Sequence, residues 1–394
     1  MTRSTVTLPE PDEAARERSS ELTSLIAAAC RQQGGSIPFS DYMQMALYQP
    51  GLGYYSGGQQ KFGATGDFIT APEVSSLFSR CVARQAAQIL RQIERADMLE
   101  FGAGSGIMAA DLLLELERLR ALPERYCIVE LSAELRARQK QTVMEKAPHL
   151  LARVDWLDAL PQRAFDGVVV ANEVLDAMPV ECFRINAGNV EQMRISATDD
   201  HLQAGYAAAD AAMAEQVRLI EQRRGTPFHD GYCSELNPVV KAWLASLYTV
   251  LDSGVVLLID YGYPLREYYL DERSKGTLVC HYQHRAHADP LWYPGLQDIT
   301  AFVDFSTVAH AADEAGFDVS GYTSQAMFLM GCGLGEIHQD MATDDPREQI
   351  MLAKQIKTLT LPSEMGERFK VMALSKQVDL AMIGFNMQDY RNRL

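Results

Sequence analysis

The chain has 394 residues, 47% of them hydrophobic and 22% charged, which suits a globular protein with room for a large core plus a second lobe or long insertions. Its 36 Lys and Arg against 52 Asp and Glu leave a net charge of −16, which argues against a nucleic-acid binder with a basic face and fits a cationic substrate. No run approaches the ~20 apolar residues of a membrane span, and the seven scattered cysteines form no CxxC clip, as expected of a reducing compartment.

From the N-terminus, residues 1 to about 20 read as a polar lead. Glu10, Asp12, Glu13 and Glu17 in that stretch fit neither a secretory signal nor an acid-poor transit peptide, so the expected location is cytoplasmic. A helix is expected from Ser20 to Cys30, and Ser40 can cap a short one carrying Tyr42, Met43 and Leu47. The stretch Gly66-Asp67-Phe68-Ile69-Thr70-Ala71-Pro72-Glu73 precedes apolar residues of helical spacing from Val74 to Leu90. Thr70 and Glu73 stand at capping-box spacing, and Pro72 is tolerated in a first turn. The loop bearing Asp67 and Phe68 either closes over a ligand or only packs.

An α/β rhythm begins at Met98. Strands are expected at Met98–Phe101, Tyr126–Glu130, Arg153–Trp156, Phe165–Ala171 and Val255–Asp260, with two more near Leu278–Tyr282 and Phe317–Tyr322. Short apolar runs alternating with helices imply a parallel sheet covered on both faces, which binds ligands at the carboxyl ends of its strands. Glu100, Glu130, Asn172, Glu173 and Asp260 all stand at such ends. Some eighty residues separate the fourth and fifth strands, more than a crossover helix needs, so an inserted lid or recognition element is expected there. In it, Cys182–Arg194 reads as a hairpin turning at Ala187-Gly188-Asn189, and Ala207–Arg224 as a helix.

Gly102, Gly104 and Gly106 follow the first of these strands and precede a helix from Ile107. Such a turn lets main-chain N–H groups and a helix N-terminus approach a ligand closely. The third glycine comes two residues after the second, where the dinucleotide fingerprint needs three, and no Lys-Ser or Lys-Thr pair supports a phosphate loop. With Glu100 just before the turn, a ligand with a cationic head such as S-adenosylmethionine fits better than a pyrophosphate. Glu130 can accept from both ribose hydroxyls of an adenosine, or can serve as a carboxylate at a helix N-terminus. Asp155 and Trp156 are candidates for holding the adenine, although a tryptophan there also suits plain core. Asn172, Glu173 and Asp176 would face the transferred methyl; the two acids, three apart, share a face of a first helical turn and can grip a guanidinium, or simply cap that helix. His281, His284 and His287 are spaced by three in a stretch with Pro290 and Pro294, which reads as a loop, with no metal expected.

The stretches 66–73, Glu100-Phe101-Gly102-Ala103-Gly104-Ser105-Gly106, Asn172-Glu173-Val174-Leu175-Asp176-Ala177-Met178-Pro179 and Asp298-Ile299-Thr300 together resemble the MidA family, over roughly residues 20 to 390. Mitochondrial members are arginine methyltransferases that assist respiratory complex I assembly. The resemblance implies an α/β, Rossmann-like class I methyltransferase fold with a seven-stranded sheet and S-adenosyl-L-methionine as cofactor. It carries over Gly102, Gly104, Gly106 and Glu130 as cofactor contacts, Asp67 in a covering loop, and Asn172, Glu173 and Asp176 near the transfer site. It also implies a protein substrate, such as a respiratory-complex subunit. The expected organisation is an N-terminal helical arm and covering loop over 1–95, a methyltransferase core over 96–335 with an insertion at about 181–235, and C-terminal helices over 336–394. Two other readings are a cofactor-binding assembly factor or scaffold that works by contact, and a nicotinamide dehydrogenase, which the glycine spacing disfavours.

Overall fold

The computed structural model describes residues 8–57, 70–199 and 201–394, so Asp67 and Phe68 of the expected covering loop lie outside the described residues. The chain forms two compact units, one from Met1–Phe68, Asp176–Val240 and Pro264–Phe302, the other from Ile69–Leu175, Lys241–Tyr263 and Val303–Leu394. Boundaries at 95 and 335 do not coincide with this division. Helix Ser76–Leu90, expected in the arm, packs in the second unit because its apolar face, including Leu77, Phe78, Cys81 and Val82, joins the core of the large sheet.

The second unit is built on that sheet. Its strands run in the order Asp318–Ser324, Phe369–Lys376, Leu251–Tyr263, Phe165–Asn172, Asp97–Phe101, Tyr126–Val129 and Val154–Leu157. The last five are mutually parallel, and Phe369–Lys376 is antiparallel to both its neighbours. A two-residue strand, Val303–Asp304, pairs with the end of Leu251–Tyr263 and makes eight where the sequence implied seven. It escapes pattern reading because two residues carry no periodicity. Leu278–Tyr282, expected to extend this sheet, instead forms a separate three-stranded sheet in the first unit.

Alternation places Met98, Ile128, Val168, Val170 and Leu257 in one core with helices Ser76–Leu90 and Ile107–Arg118. Leu99 and Phe101 point to the other face, where the Phe101 ring meets Trp243 edge-on at 5.4 Å. The sequence order of the strands reverses between Asp97–Phe101 and Phe165–Asn172, which marks the carboxyl-end crevice where such sheets bind ligands.

Asp97, Gly167 and Gly254 stand side by side across three of these strands. A Cβ on Gly167, whose φ is +150°, would lie 1.8 Å from the Asp97 carbonyl oxygen, and one on Gly254 would lie 2.0 Å from that of Gly167. The obstacle in both cases is backbone, which cannot swing aside.

The first unit carries a five-stranded antiparallel sheet: Ser36–Pro38, Glu181–Asn186, Asn189–Thr198, His201–Ala208 and Cys233–Leu236. The Ala187-Gly188 turn, with φ of +48° and +76°, closes the hairpin expected from the sequence. The expected helix over Ala207–Arg224 begins only at Ala211, capped by Asp210, because Ala207 and Ala208 complete strand His201–Ala208. Helix Glu13–Gln32 starts well before Ser20, with the Asp12 carboxylate accepting from Ala15 N at 2.8 Å. Its Leu22, Ile26 and Cys30 pack with Tyr42, Met43, Leu47, Ile195 and Ile299 in a second core. The His281–His287 stretch is a hairpin turning at Gln283-His284, both in the left-handed region, rather than a loop.

Gly167→Ala is expected to cost more than about 3 kcal/mol, the range of severe backbone strain. Urea denaturation would show it, with Gly205→Ala, where nothing lies within 4 Å, as the silent control.

Candidate functional site

The carboxyl ends of the central strands assemble the site within the second unit. Gly102, Gly104 and Gly106 all have positive φ, at +61°, +53° and +83°. A Cβ on Gly106 would meet Gln139 Cα at 2.7 Å, so the turn sits directly against helix Ala133–Lys146. The turn is also tied from outside. Ser105 Oγ donates to the Glu73 carboxylate, and Thr142 Oγ1 donates to Ser105 O at 2.7 Å. The expected capping box at Thr70 and Glu73 is not formed: the Thr70 side chain caps nothing, and Glu73 holds the glycine turn.

Gln139, fully buried, joins the separate pieces. Its amide donates to Glu130 Oε2 at 2.9 Å and to Gly104 O at 3.2 Å, while its Oε1 accepts from Trp156 Nε1 at 3.0 Å. Glu130 Oε1 accepts from Ser132 N at 2.9 Å. Burial pushes the Glu130 carboxyl up, opposed by that N–H and by the Gln139 amide. Each carboxylate oxygen keeps lone-pair capacity for a further donor.

Trp156 therefore belongs to this network, whereas Asp155 does not. Asp155 is exposed and pairs in register with Cys127 on the opposite face of strand Val154–Leu157. The acid at the end of that strand is Asp158, which is not among the residues expected from the sequence. The Arg136 guanidinium pairs with the Asp158 carboxylate and donates to Leu157 O at 3.2 Å. A strand-end position, rather than proximity to the tryptophan, was the signal that could have found it.

Glu100 is wholly buried beside the glycine turn. Its Oε2 accepts from Tyr126 OH at 2.6 Å, and its Oε1 has no hydrogen-bond partner among the described residues. Burial pushes its carboxyl up to about 7; the Tyr126 hydroxyl acts against this and the Glu130 charge adds to it. Asn172 stands beside Gly102 at the next strand's end, since Phe101 pairs with Ala171. Its Nδ2 donates to Glu173 Oε1 at 3.2 Å, and its buried Oδ1 has no hydrogen-bond partner among the described residues. Two orphaned oxygens at one crevice suit a donor-rich cationic group.

Glu173 has φ +52°, left-handed for a residue with a side chain, a kind of strain that recurs at functional sites. Its N–H donates to Ile259 O at 2.9 Å, and Leu175 N donates to Asp260 Oδ2 at 3.0 Å. These amides bond to the neighbouring strand, so no helix starts here and the expected shared helical face of Glu173 and Asp176 does not form. Asp260, fully buried, positions Glu173 by clamping the turn that follows it.

Asp176 belongs to the first unit, where it is buried and its carbonyl accepts from Ala301 N at 3.0 Å. Nearby, Tyr55 OH donates to Asp298 Oδ1 at 2.9 Å, and the Tyr48 and Tyr55 rings stack at 5.4 Å. Burial chiefly, then the charges of Asp298, Tyr48 and Asp176, hold the Tyr55 hydroxyl well above its usual range. This acidic-aromatic group was invisible beforehand because its members lie far apart in sequence.

Residues 81–323 match the family model described as "Putative S-adenosyl-L-methionine-dependent methyltransferase". The chain belongs to this methyltransferase family. It is similar to the Drosophila melanogaster protein arginine methyltransferase NDUFAF7 homolog, mitochondrial, at 30% identity over 86% of this chain and 82% of that one. The Danio rerio protein arginine methyltransferase NDUFAF7, mitochondrial, is 27% identical over 88% and 85% of the two chains. A Burkholderia thailandensis crystal structure bound to S-adenosyl-homocysteine shares 43% identity, covers 98% of this chain and 100% of that one, and superposes with a TM-score of 0.93.

This methyltransferase uses S-adenosyl-L-methionine, and the glycine turn, the Glu130 carboxylate and the two orphaned oxygens fit that group's sugar and charge. The fly and zebrafish relatives are mitochondrial proteins, a finding that overturns the cytoplasmic expectation. Acidic residues near the N-terminus describe that stretch and do not fix a compartment. No helix among the described residues is long and apolar enough to cross a membrane.

Replacing Gln139 by Leu strands Gly104 O, the Trp156 indole and one Glu130 oxygen at once. The expected result is a loss of about 1–3 kcal/mol in stability together with at least tenfold weaker S-adenosyl-homocysteine binding, read by denaturation and calorimetry. For Glu100, the raised carboxyl pKa means the folded state holds a proton that the unfolded state releases between pH 4.5 and about 7. Its contribution is full below pH 4.5 and is lost as pH rises through 7. Glu100→Gln should therefore gain stability over wild type at pH 8 and lose that advantage below pH 5, at about 1.4 kcal/mol per pKa unit.

Proposed function

We propose that this methyltransferase transfers a methyl group to an arginine side chain of a protein, with Asn172 and Glu173 facing the transferred methyl. The observation that carries the reading is Glu173 itself. Its carboxylate is held in a strained backbone conformation at a central strand end, one strand over from the glycine turn and hydrogen-bonded by Asn172. The fly and zebrafish relatives, both protein arginine methyltransferases, support an arginine acceptor.

When bound, S-adenosylmethionine supplies an electrophilic methyl on a sulfonium. Gly102, Gly104 and Gly106 give its main-chain cradle, Glu130 accepts from the ribose hydroxyls, and Trp156 and Asp158 stand towards the adenine. Glu100 Oε1 and Asn172 Oδ1 accept from its cationic end. Glu173 would accept from the guanidinium of the substrate and orient one nitrogen; that nitrogen would gain the methyl as the carbon–sulfur bond breaks, leaving S-adenosyl-homocysteine, and would release its proton to water. Orientation of this kind is worth up to about 7–11 kcal/mol of barrier.

Glu173→Gln should lower methyl incorporation from labelled donor into a protein acceptor at least a hundredfold while donor affinity stays within threefold. Retained transfer removes Glu173 from the reaction. Full function in a cellular assay despite lost transfer supports the scaffold reading instead. Donor binding is also expected to be linked to protons. A cation beside Glu100 favours its ionised form, so binding releases a proton below about pH 7, and affinity rises with pH up to about 7 and levels off above it. Calorimetry in buffers of different ionisation enthalpy measures this, and Glu100→Gln should abolish it.

A further inference from the structure

Strand His201–Ala208 lies at the edge of the antiparallel sheet in the first unit. All eight of its residues pair with Asn189–Thr198, and its other edge pairs with no strand among the described residues. Six of the eight are exposed, Leu202 and Tyr206 are half-buried, and a Cβ on Gly205 would meet nothing within 4 Å. Natural edges are usually blunted by lysine, proline, a bulge or brevity. This one has none of these: its pairing runs without a register break, and its residues, His201-Leu202-Gln203-Ala204-Gly205-Tyr206-Ala207-Ala208, include no Lys, Arg, Asp, Glu or Pro. Alternate residues of such a strand point N–H and C=O outward, as a template for another chain.

We propose that this edge binds an extended, basic segment of the methyl-accepting protein by adding it to the sheet as a sixth strand. The proposal rests on the protein-acceptor reading given above. Charge selects the occupant. Exposed Asp199 precedes the strand and exposed Asp210 follows it, while the cation beside Tyr206, Arg184 at 4.1 Å from the ring, is paired with Glu191 at 2.5 Å. The uncharged strand is thus bracketed by acids at both ends, which suits arginine or lysine flanking an uncharged stretch.

The same acids disfavour a second copy of this chain. Symmetric antiparallel pairing of two such strands sets His201 against Ala208 and, continuing that register, Asp199 against Asp210 at both ends. Like charges placed opposite one another are destabilising.

The test uses the full-length protein with S-adenosyl-homocysteine and a synthetic octapeptide of alternating valine and threonine flanked by arginines. The same peptide flanked by glutamates and an arginine-flanked version N-methylated at alternate residues are the comparisons. Amide exchange in residues 201–208 should slow with the first peptide, which should bind at least tenfold more tightly than either comparison peptide. Unchanged exchange there, or equal binding of the glutamate-flanked peptide, overturns the proposal. So does protection that grows with protein concentration alone and tracks dimer formation by ultracentrifugation. Methyl incorporation from labelled donor into a protein acceptor, measured in parallel, separates the two readings: its absence counts against the protein-acceptor reading, and its presence with an unprotected edge counts against the docking strand alone.

Discussion

One amide side chain, that of Gln139, binds the parts of the candidate cofactor site into a single object. The turn, the second strand's terminal carboxylate and the third strand's indole come from three separate βα segments, and each alone is ordinary. Gln139 satisfies a carbonyl, a carboxylate and an N–H at once. Its own backbone is what the missing side chain of Gly106 makes room for. In a buried setting such a network is all or nothing, because any polar atom left unpaired carries a desolvation cost. Close approach at Gly106 and full hydrogen bonding at Gln139 are therefore one constraint seen from two sides.

A similar economy governs the reacting end of the crevice. Asp260 and the carbonyl of Ile259 take up the amides of Leu175 and Glu173, which stops a helix from starting and forces Glu173 into a left-handed conformation. Asn172, held in the preceding strand, then reaches the Glu173 carboxylate. The strain sits on the residue whose carboxylate is proposed to face the acceptor, and the surrounding strands sustain it. Glu100 adds a different kind of tension, a carboxyl buried before any cation is present to compensate it.

Much of this was legible in the sequence where local pattern and tertiary role coincide. The glycine turn, the parallel strands and the acids at their ends could be read directly, since periodicity and turn chemistry decide them. Trp156 and Asp155 were paired by adjacency, but alternation along a strand sends neighbours to opposite faces, and only Trp156 meets Gln139. Gln139 left no signal, as a glutamine in an amphipathic helix looks like any other polar residue until Glu130 and Trp156 converge on it. The edge strand His201–Ala208 went unassigned over its first six residues, and the helix propensity of Ala207 and Ala208 drew its last two into the helix that follows. Tertiary pairing outweighed local preference there.

The path of the chain has a practical corollary. Each compact unit is stitched from three separated segments, so the polypeptide passes from one to the other five times. No single proteolytic cut releases either unit intact, and no simple truncation expresses one without the other. Two of the three segments of the first unit, Asp176–Val240 and Pro264–Phe302, begin just after strands Phe165–Asn172 and Leu251–Tyr263 of the α/β sheet. An expression boundary placed anywhere within residues 69–302 therefore breaks both units at once.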